Sequence, residues 1–357
     1  FCGKENMNRI RYNAIHPGGL WLDTDGKPIQ AHMPRLFFEN GVYYWYGLDK
    51  SRTTGDMKYW HWGVRCYRST DLYNWEDMGS LIPPDLTDEN ATLSPKNMLD
   101  RPHILRNPAT GKYVCWFDGC HSQCATVLVA DAFTGPYRVV RPSFRPLDMP
   151  FGDFDLVQSE DGRGFCYFNR PHKELICAEL TEDYTDVSGV YSVHFPRISP
   201  PYVREAPAHF ERNGHHYLIT SGTTSFYPNP SETAIADSWH GPFEVIGDPH
   251  VSDASRTSFH SQISHIFKVP GKRDLYIALA DRWLPEEMDE PYEHTEMLFN
   301  AWFNPEYTPH DPDLEGGIEA SLVKNISLGR YVWLPLRFEG DVPRIDWHDE
   351  WRIEDFE

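Results

Sequence analysis

One pattern recurs five times along this chain and limits the folds that are open to it. Each copy is an apolar strand, a turn that contains glycine, and a second strand rich in tyrosine, tryptophan and phenylalanine. The copies are RLFFENGVYYWYG (35–47), HILRNPATGKYVCWF (103–117), FDLVQSEDGRGFCYF (154–168), AHFERNGHHYLITSG (208–222) and ISHIFKVPGKRDLYIAL (263–279). Turns such as Asn40-Gly41 and Asp161-Gly162 are typical of β-hairpins. The chain therefore repeats one hairpin unit.

A second strand pair follows the hairpin in several copies, as in Val64–Ser69 followed by Asp71–Trp75. Four strands in roughly 50–60 residues is the size of a propeller blade. We predict an all-β fold, a single five-bladed β-propeller over residues 12–357, with residues 1–11 as an N-terminal extension. The absence of a sustained 3.6-residue period disfavours a (β/α)8 barrel. The five-fold repeat of similar length disfavours a two-sheet sandwich.

The charge balance excludes two classes of partner. The chain has 33 Lys+Arg against 53 Asp+Glu, a formal net charge of −20. Nucleic-acid affinity comes largely from basic residues that neutralise phosphates, and anionic lipid attracts basic segments. We therefore expect no nucleic-acid partner and no docking on an anionic membrane. We also expect no membrane insertion, because no run of about 18 apolar residues occurs.

Every copy carries a polar residue at the same phase, about a dozen residues before its aligned aromatic residue. These residues are His32, Asp100, Asp153, Glu205 and Gln262. In a propeller the first strand of each blade lines the central channel, so side chains near its start meet at one mouth. Each acid alone has an ordinary explanation as a turn-former or cap. The shared phase favours a functional site, because turn chemistry does not require it.

Facing carboxylates across a pocket are suited to glycosidic cleavage. A protonated acid donates to the leaving oxygen, and water attacks the opposite face of the sugar ring. The acid must keep its proton near neutral pH, so a neighbouring carboxylate that raises its pKa is useful. Glu205 as the acid and Asp153 as its modulator fit this logic.

Specific segments resemble glycoside hydrolase family 43, and most closely its exo-β-1,3-galactanase branch. The segments are WLDTDGKPIQAH (21–32), YYWYG (43–47), STDLYNWEDMG (69–79), DRPHILRNPATGKYV (100–114), REAPAHF (204–210), SQISHIF (261–267) and DRW (281–283). The resemblance runs from about residue 12 to YVWLPL (331–336). It implies a five-bladed propeller and an inverting, exo-acting hydrolase that releases terminal galactose from an oligosaccharide or polysaccharide, β-1,3-galactan such as the arabinogalactan backbone.

The resemblance also implies roles for individual residues. Glu205 matches the family's general acid, Asp153 matches the carboxylate that tunes it, and Gln262 matches a glutamine that holds or activates the attacking water. An amide is a poor base, so Gln262 either positions the water or activates it through a proton relay or an imidic tautomer. The predicted substrate-binding residues are Gln30, His32, Tyr46, Asp100, Arg101, Phe226, Tyr227 and Trp283.

Departures from the branch leave the substrate open. Asp100 stands where the branch usually has Glu, and Phe226-Tyr227 replace an expected Trp. The first alternative to a galactanase is another glycosidase on the same fold: an α-L-arabinofuranosidase, a β-D-galactofuranosidase or a β-xylosidase. A non-catalytic sugar-binding propeller is the second, because the wider family's aspartate base is replaced here by the Gln30-Ala31-His32 segment.

The sequence requires no cofactor for this chemistry. The resemblance allows a structural calcium ion in the central channel, near His32 or His260. The segment Cys120-His121-Ser122-Gln123-Cys124 lacks the second ligand pair of a zinc site, so we predict no metal there. Buried unpaired cysteines favour a cytoplasmic location, whereas a polysaccharide substrate favours a secreted or periplasmic one.

Overall fold

The computed structural model describes residues 10–307 and 321–357 and forms five antiparallel sheets of four strands each. Blade 1 contains β1 (His32–Glu39), β2 (Val42–Leu48), β3 (Val64–Ser69) and β4 (Glu76–Ile82). Blade 2 contains β5 (Leu99–Arg106), β6 (Tyr113–Gly119), β7 (Cys124–Ala130) and β8 (Arg138–Phe144). Blade 3 contains β9 (Phe154–Gln158), β10 (Gly164–Arg170), β11 (Glu174–Leu180) and β12 (Val187–His194). Blade 4 contains β13 (Glu205–Arg212), β14 (His215–Ser221), β15 (Glu232–Ala236) and β16 (Glu244–Gly247). Blade 5 contains β17 (Gln262–Lys268), β18 (Tyr276–Arg282), β19 (Arg330–Glu339) and β20 (Val342–Ile345).

The five blades form a ring, which confirms the predicted five-bladed β-propeller. Strands follow chain order within each sheet, and the first strand of each blade contacts the first strand of its neighbours. The inner ring is therefore β1, β5, β9, β13 and β17 in sequence, with β17 returning to β1. This arrangement brings the starts of five separate strands to one end of the central channel.

Aromatic packing closes the ring between the first and last blades. Trp45 of β2 packs against Trp333 of β19 with ring centroids 4.4 Å apart, and Trp21 contacts both rings. Trp45 and Trp333 are fully buried. A bridge between Ile15 and Trp351 also joins the two ends of the described chain. The aromatic content of the sequence thus serves the contact between blades, where large rings fill the space between twisted sheets.

Blade 5 is interrupted between β18 and β19. This segment contains α1 (Tyr292–Phe303), which the sequence analysis did not predict. Two short 3-10 helices lie outside the sheets: Pro146–Asp148 between blades 2 and 3, and Ile353–Asp355 after β20. Among the described residues, no helix has the length and apolar character needed to cross a membrane. Residues 1–9 of the predicted N-terminal extension lie outside the described part of the chain.

Candidate active site

The five residues that share a phase in the sequence all lie at the start of an inner strand. His32, Glu205 and Gln262 are the first residues of β1, β13 and β17, and Asp100 is the second residue of β5. Asp153 directly precedes β9. The predicted convergence at one mouth is therefore what the strand register produces.

β-Bulges at three of these strand starts turn the backbone toward the neighbouring blade. The register shifts after His32, Asp100 and Glu205, and the residue that follows each has a positive φ: 54° at Met33, 52° at Arg101 and 48° at Ala206. Non-glycine residues seldom adopt this conformation, and bulges are common beside active sites, where they re-aim side chains.

The N–H group of each bulged residue donates to the preceding blade. Met33 donates to Asp281 Oδ2 over 2.7 Å, Arg101 to Met33 Sδ over 3.2 Å, and Ala206 to Asp153 Oδ2 over 3.0 Å. These bonds compensate part of the cost of the unusual backbone conformation. One repeated device thus fixes the mouth residues of three blades.

A cavity of about 170 Å³ opens at this mouth. Its polar lining includes Asp100, Arg101, Asp153, Glu205 and Gln262. Its apolar walls include Trp60, Phe226 and Trp283, with Phe299 of α1 and Leu322 from the segment that interrupts blade 5. Carboxylates and aromatic rings around one hollow are suited to a sugar, whose hydroxyl groups bind polar atoms while its C–H faces pack on rings.

Arg101 links the predicted catalytic residues. Its Nε lies 2.6 Å from Asp153 Oδ1, and its Nη2 donates to Gln262 Oε1 over 3.2 Å. The Arg101 side chain is 2% exposed and that of Asp153 is 15% exposed. A nearly buried guanidinium therefore supplies a counter-charge to Asp153 and fixes one side of the Gln262 amide.

Glu205 has the environment of a general acid. Burial and the adjacent charge of Asp153 raise the pKa of Glu205 well above its ordinary value, although Arg101 and a hydrogen bond with Thr223 oppose the shift. A carboxyl group with a raised pKa keeps a proton to donate near neutral pH.

Hydrogen bonds fix the Gln262 amide in one orientation. Its Oε1 also accepts from Trp283 Nε1 over 3.4 Å, while its Nε2 donates to Ser221 Oγ over 2.9 Å. With its oxygen accepting from two donors, this amide keeps one N–H available to orient a water molecule. It has no capacity to act as a strong base.

Asp100 is held by Trp60 and Lys50. Its Oδ1 accepts from Trp60 Nε1 over 2.9 Å and lies 3.4 Å from the fully buried Lys50 Nζ. No described residue donates a hydrogen bond to its other oxygen, Oδ2. That oxygen is available to a hydroxyl group or to water.

The structure brings most of the predicted substrate-binding residues together. Asp100, Arg101, Phe226 and Trp283 line the cavity with Glu205, and Tyr227 lines an adjoining crevice that shares Gln262 and Trp283.

Three predicted substrate-binding residues do not line the cavity at the mouth. Tyr46 is 1% exposed, and its hydroxyl accepts from Ile104 N. His32 is fully buried, 2.9 Å from Asp281 Oδ1, with its ring 5.4 Å from that of Trp283. Gln30 lines a separate cavity and donates to the Ser327 carbonyl. Contact of these three residues with a substrate stays a prediction.

The residues that the sequence analysis missed also share a phase. Asp118, Ser221 and Asp281 end the second strands of their hairpins, directly across from Asp100, Glu205 and Gln262. Three of the five inner strand starts therefore have a polar partner at or next to the end of the following strand. Searching that second phase in the sequence would have found them.

Asp118 adds another acid beneath the mouth. It is 2% exposed and accepts from Ser122, which lines the cavity. Burial and the charges of Asp153 and Asp100 raise the pKa of Asp118 well above its ordinary value. A neutral Asp118 avoids a further negative charge close to Asp153 and Asp100.

The described residues do not offer a calcium shell at the predicted place. Calcium takes six to eight oxygen ligands. Both oxygens of Asp281, beside His32, already accept from His32 Nδ1 and Met33 N. At His260, the nearby Arg282 guanidinium donates to the His260 carbonyl, so a second cation would meet repulsion there.

Cys120 and Cys124 are free thiols, the first exposed and the second partly buried.

Comparison with known proteins identifies the family. The model of glycosyl hydrolases family 43 matches residues 32–295, which include the inner strands of all five blades. The chain belongs to glycosyl hydrolases family 43. A comparison with curated proteins gave no match.

Solved structures of family 43 proteins share the fold. A family 43 β-1,3-galactosidase is 26% identical with a TM-score of 0.76, and the match covers 97% of this chain and 65% of that protein. A second β-1,3-galactosidase, solved with galactodeoxynojirimycin, has the same identity and TM-score, with 95% of this chain and 100% of that protein covered. An exo-β-1,3-galactanase from Phanerochaete chrysosporium, solved with β-1,3-galactotriose, is 26% identical with a TM-score of 0.75 and coverages of 96% and 68%. The chain thus spans 65% of the length of the first of these proteins.

Proposed function

We propose that this chain is an inverting, exo-acting glycoside hydrolase that releases terminal galactose from β-1,3-galactan. The observation that carries the proposal is the shared cavity of Glu205, Asp153 and Gln262, with Arg101 between the last two. The activities named for the similar β-1,3-galactosidases and exo-β-1,3-galactanase support the choice of substrate.

In the proposed reaction, protonated Glu205 donates its proton to the glycosidic oxygen as the bond to the anomeric carbon breaks. The negative charge of Asp153, which faces Arg101, keeps the pKa of Glu205 high. A water molecule oriented by the free N–H of Gln262 attacks the opposite face of the ring. Asp100 Oδ2 is the cavity oxygen that can accept a proton from that water or bind a sugar hydroxyl.

The apolar walls support recognition of one sugar at a chain end. Trp283 and Phe226 pack edge to face with ring centroids 5.5 Å apart, and Trp60 lies 6.1 Å from Phe226. Phe299 and Leu322 add a further wall beyond these rings. A small hollow of this kind suits a terminal residue better than the interior of a polysaccharide.

The test is product analysis by NMR on β-1,3-galactotriose. We expect galactose to be released from the non-reducing end, with the α-anomer appearing first because inversion changes the configuration of a β-linkage. Internal cleavage, or first appearance of the β-anomer, would contradict the proposed mechanism. Binding without any hydrolysis would favour the sugar-binding alternative.

A panel of aryl glycosides tests the substrate independently of the mechanism. Asp100 and Phe226-Tyr227 differ from the galactanase branch at the rim, so furanosides and β-xylosides belong in the panel. We expect the highest kcat/KM for the β-galactopyranoside. A higher value for the α-L-arabinofuranoside, the β-D-galactofuranoside or the β-xyloside would retain the reaction class and replace the substrate.

A further inference from the structure

Three side chains with metal-binding atoms meet at the far end of the β13–β14 hairpin. His209 Nε2 lies 3.1 Å from His216 Nδ1, and Glu211 Oε1 lies 3.9 Å from the same His216 atom. One ligand atom from each residue lies within 4.8 Å of the other two. Glu211 is six residues after Glu205 along β13, a span of about 20 Å in an extended strand. The cluster is therefore remote from the proposed active site.

Strand geometry brings these residues to one face. His209 and Glu211 are two positions apart on β13, so they point to the same side of the sheet. Glu211 pairs with His216 on β14, which places the two side chains next to each other. The hairpin itself therefore builds the cluster, with no contribution from a long loop.

We propose that His209, Glu211 and His216 form a zinc-binding site. Two imidazoles and one carboxylate, with a water in the fourth position, make a familiar tetrahedral zinc environment. With Zn–N bonds of about 2.0–2.1 Å, tetrahedral ligand atoms lie about 3.3 Å apart. The imidazole nitrogens already approach this separation. The Glu211 carboxylate lies further out than this, and its exposed side chain can move toward the two imidazoles.

The surroundings fix the two imidazoles. The His209 ring is stacked between Tyr167 and Trp239, with centroids 5.1 Å from each. The His216 ring lies 4.5 Å from that of Trp239. Because packing already fixes these rings, they lose little conformational entropy when an ion binds. The Glu211 side chain is 48% exposed, so an ion can reach the site from solvent.

The test is a metal titration of the full chain, purified without a polyhistidine tag and stripped with EDTA. Cobalt(II) reports tetrahedral ligation by its visible absorption, and zinc competing with a chromophoric chelator gives the affinity. We expect the wild type to bind one equivalent of zinc with an affinity that depends on the three proposed ligands. Replacing a ligand, as in His216→Ala or Glu211→Gln, should weaken zinc binding by more than about 100-fold. Zinc should raise the Tm of the wild type and not of these variants.

Matched controls show whether the bound zinc ion occupies this site. His215 lies next to His216 and pairs instead with Asp237, so His215→Ala should bind zinc like the wild type. A Cys120→Ser/Cys124→Ser variant and Glu205→Gln should also retain it. Glu211→Gln keeps the test valid if His216→Ala does not fold. Unchanged affinity in Glu211→Gln, or no saturable equivalent in the wild type, would show that the cluster is only a hydrogen-bonded histidine pair.

Discussion

The inner strands carry two polar layers with opposite properties. The mouth layer contains Glu205 and Asp153, and the axis layer, further along the same strands, is formed by Arg35, His103, Asp155 and His265. In the axis layer Asp155 is 1% exposed and accepts from Arg35 Nη1 over 2.8 Å and from His209 N over 2.7 Å. In the mouth layer, Asp153 is paired with Arg101. For Glu205, burial and the charge of Asp153 outweigh the effect of Arg101.

This difference separates structural acids from reactive ones. Burial alone would raise the pKa of Asp155, but the Arg35 guanidinium and His103 outweigh it and hold that pKa below its ordinary value. Glu205 experiences burial and a like charge together, so its pKa moves the other way. A buried carboxyl becomes an acid catalyst where the fold withholds a dedicated cation from it.

The largest expected effect comes from removing the proton of Glu205. Glu205→Gln should lower kcat on β-1,3-galactotriose by about 10²–10⁴-fold, because the amide cannot protonate the leaving oxygen. Steady-state kinetics on the oligosaccharide measures this loss. A dinitrophenyl β-galactoside, whose leaving group needs no proton, should lose far less. An equal loss on both substrates would remove Glu205 from the role of general acid.

The corresponding change in the axis layer should affect stability instead. Asp155→Asn leaves the buried Arg35 without its counter-charge and should lower the free energy of unfolding by about 3 kcal/mol. Urea denaturation measures it, with Glu205→Gln as the comparison. If both variants were destabilised equally, the two layers would not differ as proposed.

Much of the fold was predictable because hairpin turns and aromatic strands are local signals. Asn40-Gly41 and its counterparts place the hairpins, and their five-fold repetition requires a closed ring. α1 was not predicted, because it depends on packing within the segment that interrupts blade 5 and occurs only once.

The site was predictable as far as the position of a residue along its strand determines where its side chain points. Phase placed Glu205, Asp153 and Gln262 in one cavity. It could not show that the backbone N–H of Met33, in the bulge after His32, donates to Asp281. Nor could it show that the Tyr46 hydroxyl accepts from Ile104 N. Bulges and long-range hydrogen bonds depend on neighbouring blades, which no local pattern records. Phe299 and Leu322 were missed for the same reason.

The link between Asp153 and Glu205 predicts a shift in pH dependence. Asp153→Asn removes a negative charge beside Glu205 and leaves Arg101 without that counter-charge, so the pKa of Glu205 should fall. A general acid loses activity as pH rises through its pKa, so the alkaline limb of kcat/KM against pH should move to lower pH. Measuring that profile from pH 4 to pH 9 tests this, since Asp153 acting only on binding would leave the limb in place.

The smallest expected effect concerns the support of Asp100. Trp60→Phe keeps an aromatic wall but removes the N–H that donates to Asp100 Oδ1, while Lys50 remains nearby. Loss of one such bond costs about 1 kcal/mol, so KM for β-1,3-galactotriose should rise about fivefold with kcat nearly unchanged. Trp62→Phe is the matched control, because the Trp62 ring contacts Arg52 and does not line the cavity. If kcat falls instead of KM rising, Asp100 takes part in the proton transfer from water and not only in holding the sugar.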